Sequence, residues 1–105
     1  IIVNLMIDYF PLDCREKLSK TGLLVKKRRL KNKMRQADLA LHVGVSAPTI
    51  GKIEAGERGV ELGTFMHVLW HLGLLDEVFN KLDAPQTDDL PQQRVRLKKP
   101  KKDGF

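Results

Sequence analysis

The stretch from Gln36 to Ile53, QADLALHVGVSAPTIGKI, constrains this chain more than any other. Counting Gln36 as the first position, Ala40 is fifth, Gly44 ninth, Ile50 fifteenth and Ile53 eighteenth. Two helices that meet at a steep angle need a small residue where they touch, and Ala40 supplies it. A tight turn between them needs a position that tolerates positive φ, and Gly44 supplies that. The helix after the turn must dock through one apolar stripe, and Val45, Ile50 and Ile53 have the spacing for it. Chance meets any one of these requirements often. All of them in one short window predict a helix-turn-helix.

The flanking sequence extends this unit into an all-α domain of five helices. Residues 12 to about 31 read as helical, with Gly22 as a break or a start. Asn32, Lys33 and Met34 make a polar bend, and Arg35 or Gln36 opens a helix that runs to about Val43. Ser46 is a good N-cap for the next helix, and Pro48 falls in its first turn, where a missing N–H is harmless. That helix ends near Ala55 and Gly56, with Gly56 suited to the position just past the end. Leu62, Phe65, Met66, Leu69 and Leu72 recur at helical steps and form one apolar face, which Gly73 terminates. A fifth helix is expected over about 74–82, with Leu74, Leu75, Val78, Phe79 and Leu82 on one side. The expected organisation is an N-terminal arm over 1–11, the helix-turn-helix domain over 12–83, and a polar, basic tail over 84–105. The opening IIVNLMIDYF is rich in Ile, Val, Tyr and Phe and reads as a strand-like arm that packs on this domain or on a partner.

With 105 residues the chain is sized for one domain. Its apolar content of 42% and charged content of 30% are ordinary for a soluble globular protein. The formal net charge of +6 fits an anionic partner, and its distribution says more. Lys20, Lys26, Lys27, Arg28, Arg29, Lys31, Lys33 and Arg35 follow one another with no acid among them. Arg94, Arg96, Lys98, Lys99, Lys101 and Lys102 form a second basic cluster. The apolar opening lacks a basic flank and is far shorter than the roughly 20 residues that span a bilayer, so no membrane segment is expected. The single cysteine, Cys14, forms no disulfide within the chain and suits a reducing, cytoplasmic setting.

No enzyme, cofactor or metal is expected. Glu54, Glu57 and Glu61 scatter around a loop without pairing, and no Gly-rich phosphate cradle is present. His67 and His71 stand four apart, but no glutamate between them completes a zinc-protease motif, and structural zinc wants four ligands.

A helix-turn-helix presents its second helix to the major groove, with the N-terminal residues facing base edges. Here those are Ser46, Ala47, Pro48 and Thr49, with Lys52 one turn further. Thr49 offers a hydroxyl and a methyl group, and Lys52 reaches guanine acceptors. Ala47 and Pro48 offer only apolar contacts, so direct reading is sparse and DNA shape carries part of the specificity. Arg35 and Gln36 open the preceding helix, where unpaired N–H groups and the positive end of the helix dipole suit a phosphate. Ser46 can serve as N-cap, as phosphate ligand, or as both. Lys26, Lys27, Lys33 and Arg58 are further candidate backbone contacts.

The run RRLKNKMRQADLALHVGVSAPTIGKIEAGERGVELGTFMHVLWHLGLLDEV resembles the Xre/Cro-type repressors, the phage-repressor class of helix-turn-helix proteins, over about 22–82. The resemblance implies a phage-repressor-like fold and an internal salt bridge between Arg29 and Glu54. It implies base contacts at Ala47, Pro48 and Lys52 and phosphate contacts at Gln36 and Ser46. The sequence departs from the family at Arg35, where a Ser, Thr or Asn cap is usual, and at Gly51, where a larger polar residue is common. Gly51 costs about 1 kcal/mol of helix propensity relative to Ala. The segments VELGTFMHVLWHLGLLDEVFNKL and LPQQRVRLKKPKK resemble the narrower branch of HipB-like antitoxins, which repress their own operon and bind a HipA-type kinase toxin.

The fifth helix and Trp70 read either as core or as a dimer face. Repressors of this type pair through that region, so the resemblance implies a homodimer through Trp70, Leu74, Leu75, Val78 and Phe79. Two recognition helices would then lie about 34 Å apart on an inverted-repeat operator in double-stranded DNA. A module that mainly holds a toxin or enzyme inactive, with DNA binding secondary, is the alternative.

Overall fold

The computed structural model describes residues 9–83, which form five α-helices and a final 3₁₀ turn. The helices are α1 (Leu12–Lys31), α2 (Gln36–Val43), α3 (Ala47–Glu54), α4 (Leu62–His71) and α5 (Leu75–Val78), and the 3₁₀ turn spans Asn80–Asp83. No strand occurs among the described residues. The strand-like reading of the first residues and the whole basic tail, 84–105, lie outside them. Tyr9, the first described residue, is exposed.

Gly22 does not break the first helix, which runs through it without interruption. It is buried where α1 crosses the end of α3. A Cβ there would overlap the Ile53 carbonyl oxygen and approach that of Glu54 to 2.6 Å. The glycine is present because two backbones touch, not because the chain turns. Val25 and Arg29 continue the buried stripe one and two turns on, while Leu12, Leu23 and Leu30 remain exposed.

Leu39, Ala40, Ile50, Ile53, Val68, Leu69, Leu72 and Leu74 close around Val25 to make the core. Each fully buried Leu or Ile contributes roughly 1.5–3 kcal/mol relative to an exposed one. Ala40 is 3% exposed and supplies the small surface that lets α2 and α3 approach. The five residues picked out on α4 do not all turn inward: Leu62 is 68% exposed, whereas Leu69 and Leu72 are buried.

One hydrogen-bond pattern ends each of the four longer helices. A residue with positive φ is followed by one whose N–H reaches back five residues. Met34 N–H donates to Arg29 O at 3.1 Å, Val45 to Ala40 O at 3.0 Å, Glu57 to Lys52 O at 3.0 Å, and Leu74 to Leu69 O at 2.8 Å. The positive-φ residue is glycine in three cases, Gly44, Gly56 and Gly73, and Lys33 in the fourth.

The C-terminal end departs from expectation in two ways, and this pattern explains the first. Leu74 is the residue after the turn glycine, and it folds back into the core, 1% exposed. It therefore belongs to this domain's own interior, contrary to its expected place on a dimer face. The expected fifth helix is also shorter, because Phe79 leaves helical geometry at φ −118°, ψ 35°. Beyond it, Leu82 N–H bonds Phe79 O, three residues back. Phe79, Leu75 and Val78 are half-buried against the core, and Trp70 is 62% exposed.

Candidate nucleic-acid interface

Ser46 caps α3 with a β-region backbone, and its Oγ accepts from Thr49 N–H at 3.3 Å. The two hydroxyls also meet at 2.9 Å. Ser46 and Thr49 thus form one polar unit at the start of α3. Thr49 is half-buried and shares its hydroxyl with the cap. Ser46, Pro48 and Lys52 are exposed on the outer face, whereas Ala47 packs partly against the core. The inner face of α3 carries Ile50 and Ile53, both buried. The helix is therefore held from behind and open in front.

Arg35 precedes α2 and has no acceptor with which to cap it. Asp38 takes over part of the task. Its carboxylate accepts from Arg35 N–H at 2.8 Å and from the Arg35 guanidinium at 2.9 and 3.1 Å. These hydrogen bonds hold the Asp38 carboxyl down to a pKa of about 2 and push the Arg35 pKa up. The Arg35 guanidinium is 82% exposed, so it faces solvent while paired. A phosphate at this helix end would share Arg35 with Asp38.

Behind α2 and α3 lies a buried ion pair. Arg29 Nε donates to Glu54 Oε2 at 2.6 Å and Nη2 to Oε1 at 3.1 Å, with side chains 8% and 5% exposed. Arg29 Nη1 also donates to Met34 O at 2.8 Å, which ties the pair to the bend between α1 and α2. The hydrogen bond to Glu54 pushes the Arg29 pKa up, against the desolvation that lowers it. The Gln36 amide joins the same carboxylate, with Nε2 donating to Glu54 Oε1 at 3.1 Å.

The basic run along α1 divides by role. Arg29 is internal. Arg28 donates to Leu72 O at 2.7 Å, satisfying a carbonyl at the end of α4, and pairs with Glu77 at 3.3 Å. Lys20, Lys26, Lys27, Lys31 and Lys33 are exposed. Sequence reasoning missed the role of Arg28, since nothing local marks a contact 44 residues away. It also missed that the Arg58 guanidinium lies 4.7 Å from the centre of the Phe10 ring, which brings the start of the described chain to the loop after α3.

A shallow cleft beside α3 is lined by Val45, Thr49 and Lys52 on one side and Gly59 to Glu61 and Thr64 on the other. The Glu61 carboxylate accepts from Thr64 Oγ1 at 3.0 Å at the start of α4. Elsewhere, His71 stands 5.5 Å from His42 and 6.2 Å from His67, ring centre to ring centre. No group of three or more His, Cys, Asp or Glu side chains suited to a metal occurs among the described residues. No described helix is long and apolar enough to cross a membrane.

Residues 25–66 match the family model described as helix-turn-helix. The matched span starts within α1, includes all of α2 and α3, and ends within α4, so it contains Arg35, Gln36, Ser46 to Thr49, Lys52 and Arg58. No curated protein matches the chain. The sequence motif, the fold and the family match agree that this is a small all-α helix-turn-helix domain. Such domains are DNA-binding units.

Proposed function

We propose that this helix-turn-helix domain is a sequence-specific transcriptional repressor that inserts α3 into the major groove of double-stranded DNA. The carrying observation is the two-sided α3: Ile50 and Ile53 are locked in the core while Pro48 and Lys52 stand exposed on the same eight-residue helix, with the exposed Ser46 capping it. Thr49 and Lys52 make the polar base contacts, and Ala47 and Pro48 the apolar ones. Arg35, Gln36 and Ser46 bind phosphate at the two helix starts, and Arg58 does so from the following loop.

The finer reading is a homodimeric antitoxin that represses its own operon and binds a HipA-type kinase toxin. It rests on the resemblance of the C-terminal half to HipB-like proteins. Trp70, Leu75, Val78 and Phe79 remain the dimer residues in this reading. The exposed Trp70 supports it, together with the incomplete burial of Leu75, Val78 and Phe79. Leu41 and Leu62, 81% and 68% exposed, support a protein partner as well.

Affinity for the chain's own upstream DNA, measured at several salt concentrations, tests the proposal. Wild-type binding should weaken steeply with salt. Lys52→Ala should lower affinity and relax base preference at one position in each half-site, by roughly 1–3 kcal/mol. Unchanged affinity and discrimination in both Lys52→Ala and Thr49→Ala would remove α3 from the groove.

A further inference from the structure

We propose that Glu54 is a positioning residue for DNA binding: it fixes the Gln36 amide for a phosphate, and Gly51 keeps that amide uncovered. The inference rests on the reading that Gln36 contacts the DNA backbone. It departs from the view that the Arg29–Glu54 pair serves only to join α1 to α3.

The geometry runs outward from the interior. Arg29 is anchored by Met34 O at 2.8 Å and grips Glu54 through two hydrogen bonds. Glu54, so held, presents Oε1 to Gln36 Nε2 at 3.1 Å. A glutamine at a helix start ordinarily samples several rotamers, and ordering it on binding costs entropy. Here the ordering is already done. The amide nitrogen carries two hydrogens, of which Glu54 takes one, leaving one donor for a phosphate oxygen.

A carboxylate near a phosphate site would normally repel the ligand. This one is 5% exposed and directly paired with Arg29, so the pair is neutral from outside. Glutamate is also the side chain that suits the position. Its two oxygens accept from Arg29 and Gln36 together, and it carries no donor to compete with them.

Gly51 supplies the second observation. A Cβ at this position would lie 3.7 Å from Gln36 Oε1 and 3.9 Å from Nε2. The bare backbone of α3 therefore lies beside the amide. A longer side chain at 51 would start within van der Waals contact of that amide.

The test uses the full chain and a duplex selected from random sequence by the wild-type protein, with single methylphosphonate linkages placed one at a time. Four variants are compared: Gln36→Ala, Glu54→Gln, Gly51→Leu, and the paired change Arg29→Met with Glu54→Leu. The paired change removes both buried charges and so preserves the fold better than removing one. The folded fraction of each is measured by circular dichroism, and affinities are corrected for it. Among the linkages at which wild-type protein loses affinity, one should be the Gln36 contact, with a loss of roughly tenfold or more, the scale of a hydrogen bond to a charged oxygen. Gln36→Ala should lose that linkage dependence. The paired variant, Glu54→Gln and Gly51→Leu should lose it as well. Glu54→Gln retains the shape of the pair, but its single oxygen must serve Arg29 while its NH₂ faces another amide; it decides the question if the paired variant does not fold. Folded Glu54 variants that keep the wild-type linkage dependence would overturn the positioning role while leaving the Gln36 contact intact. A Gln36→Ala protein with every wild-type linkage dependence would overturn the contact itself, and the proposal with it.

Discussion

Gly22 and Gly51 both sit inside helices, where glycine costs about 1 kcal/mol relative to alanine, yet their surroundings differ completely. Around Gly22 the carbonyl oxygens that close α3 occupy the place a Cβ would take. Around Gly51 a Cβ would meet only the Gln36 amide, at an ordinary contact distance. One glycine joins two helices through their backbones, and the other leaves part of an outward face bare. The contrast separates the seam that holds α3 in place from the surface that α3 offers.

The seam should be the costlier to disturb. Glu54→Ala leaves the Arg29 guanidinium buried without its carboxylate and should cost about 3–5 kcal/mol, read from the urea midpoint. A loss below about 1 kcal/mol would mean that water reaches Arg29 freely. Gly22→Ala forces α1 and α3 apart and should cost on the order of 3 kcal/mol, near the upper end for overpacking. A neutral result would mean that the crossing gives way easily. Gly51→Ala should do the reverse and raise stability by about 1 kcal/mol, because it restores helix propensity without a clash. If Gly51→Ala destabilises as Gly22→Ala does, the distinction between seam and surface is wrong.

The smallest effect concerns Asp38 and acid. Its folded pKa of about 2 lies below the roughly 3.9 of an unfolded aspartate. The stability it contributes is therefore complete above pH 4 and is lost as pH falls towards 2. Thermal midpoints measured between pH 5 and pH 2 should fall less steeply in Asp38→Asn than in wild type. Identical slopes would show that the Arg35 contact adds nothing to α2.

Legibility in the sequence followed the range of the interactions. Helix ends were readable where a glycine marks the positive-φ position, as at Gly44, Gly56 and Gly73. Lys33 adopts the same geometry without a glycine to announce it. Gly22 looked like punctuation, because periodicity within one helix does not show which backbone passes beside it. Leu74 looked like part of a surface stripe, because its helical spacing was clear and its role in ending α4 was not. At the candidate interface Pro48 and Lys52 are exposed, whereas Ala47 and Thr49, expected to face outward with them, are half-buried. The contacts that fix them, Arg35 with Asp38, Gln36 with Glu54 and Ser46 with Thr49, depend on side-chain geometry that residue type does not set. The basic run misled at Arg28, which satisfies Leu72 O and pairs with Glu77, whereas the internal pairing of Arg29 with Glu54 was already implied by the family resemblance.

On the proposed function, α3 and the start of α2 form the surface that meets DNA. Amide chemical shifts of the labelled protein, followed as a selected duplex is added, test it most directly. The largest changes should fall on Gln36, Ser46, Ala47 and Thr49 through Lys52, with smaller ones near Arg58, while Val25, Arg29 and Val68 stay still. Changes centred on Trp70, Leu75 and Phe79, with the Ser46–Lys52 amides unmoved, would contradict the account.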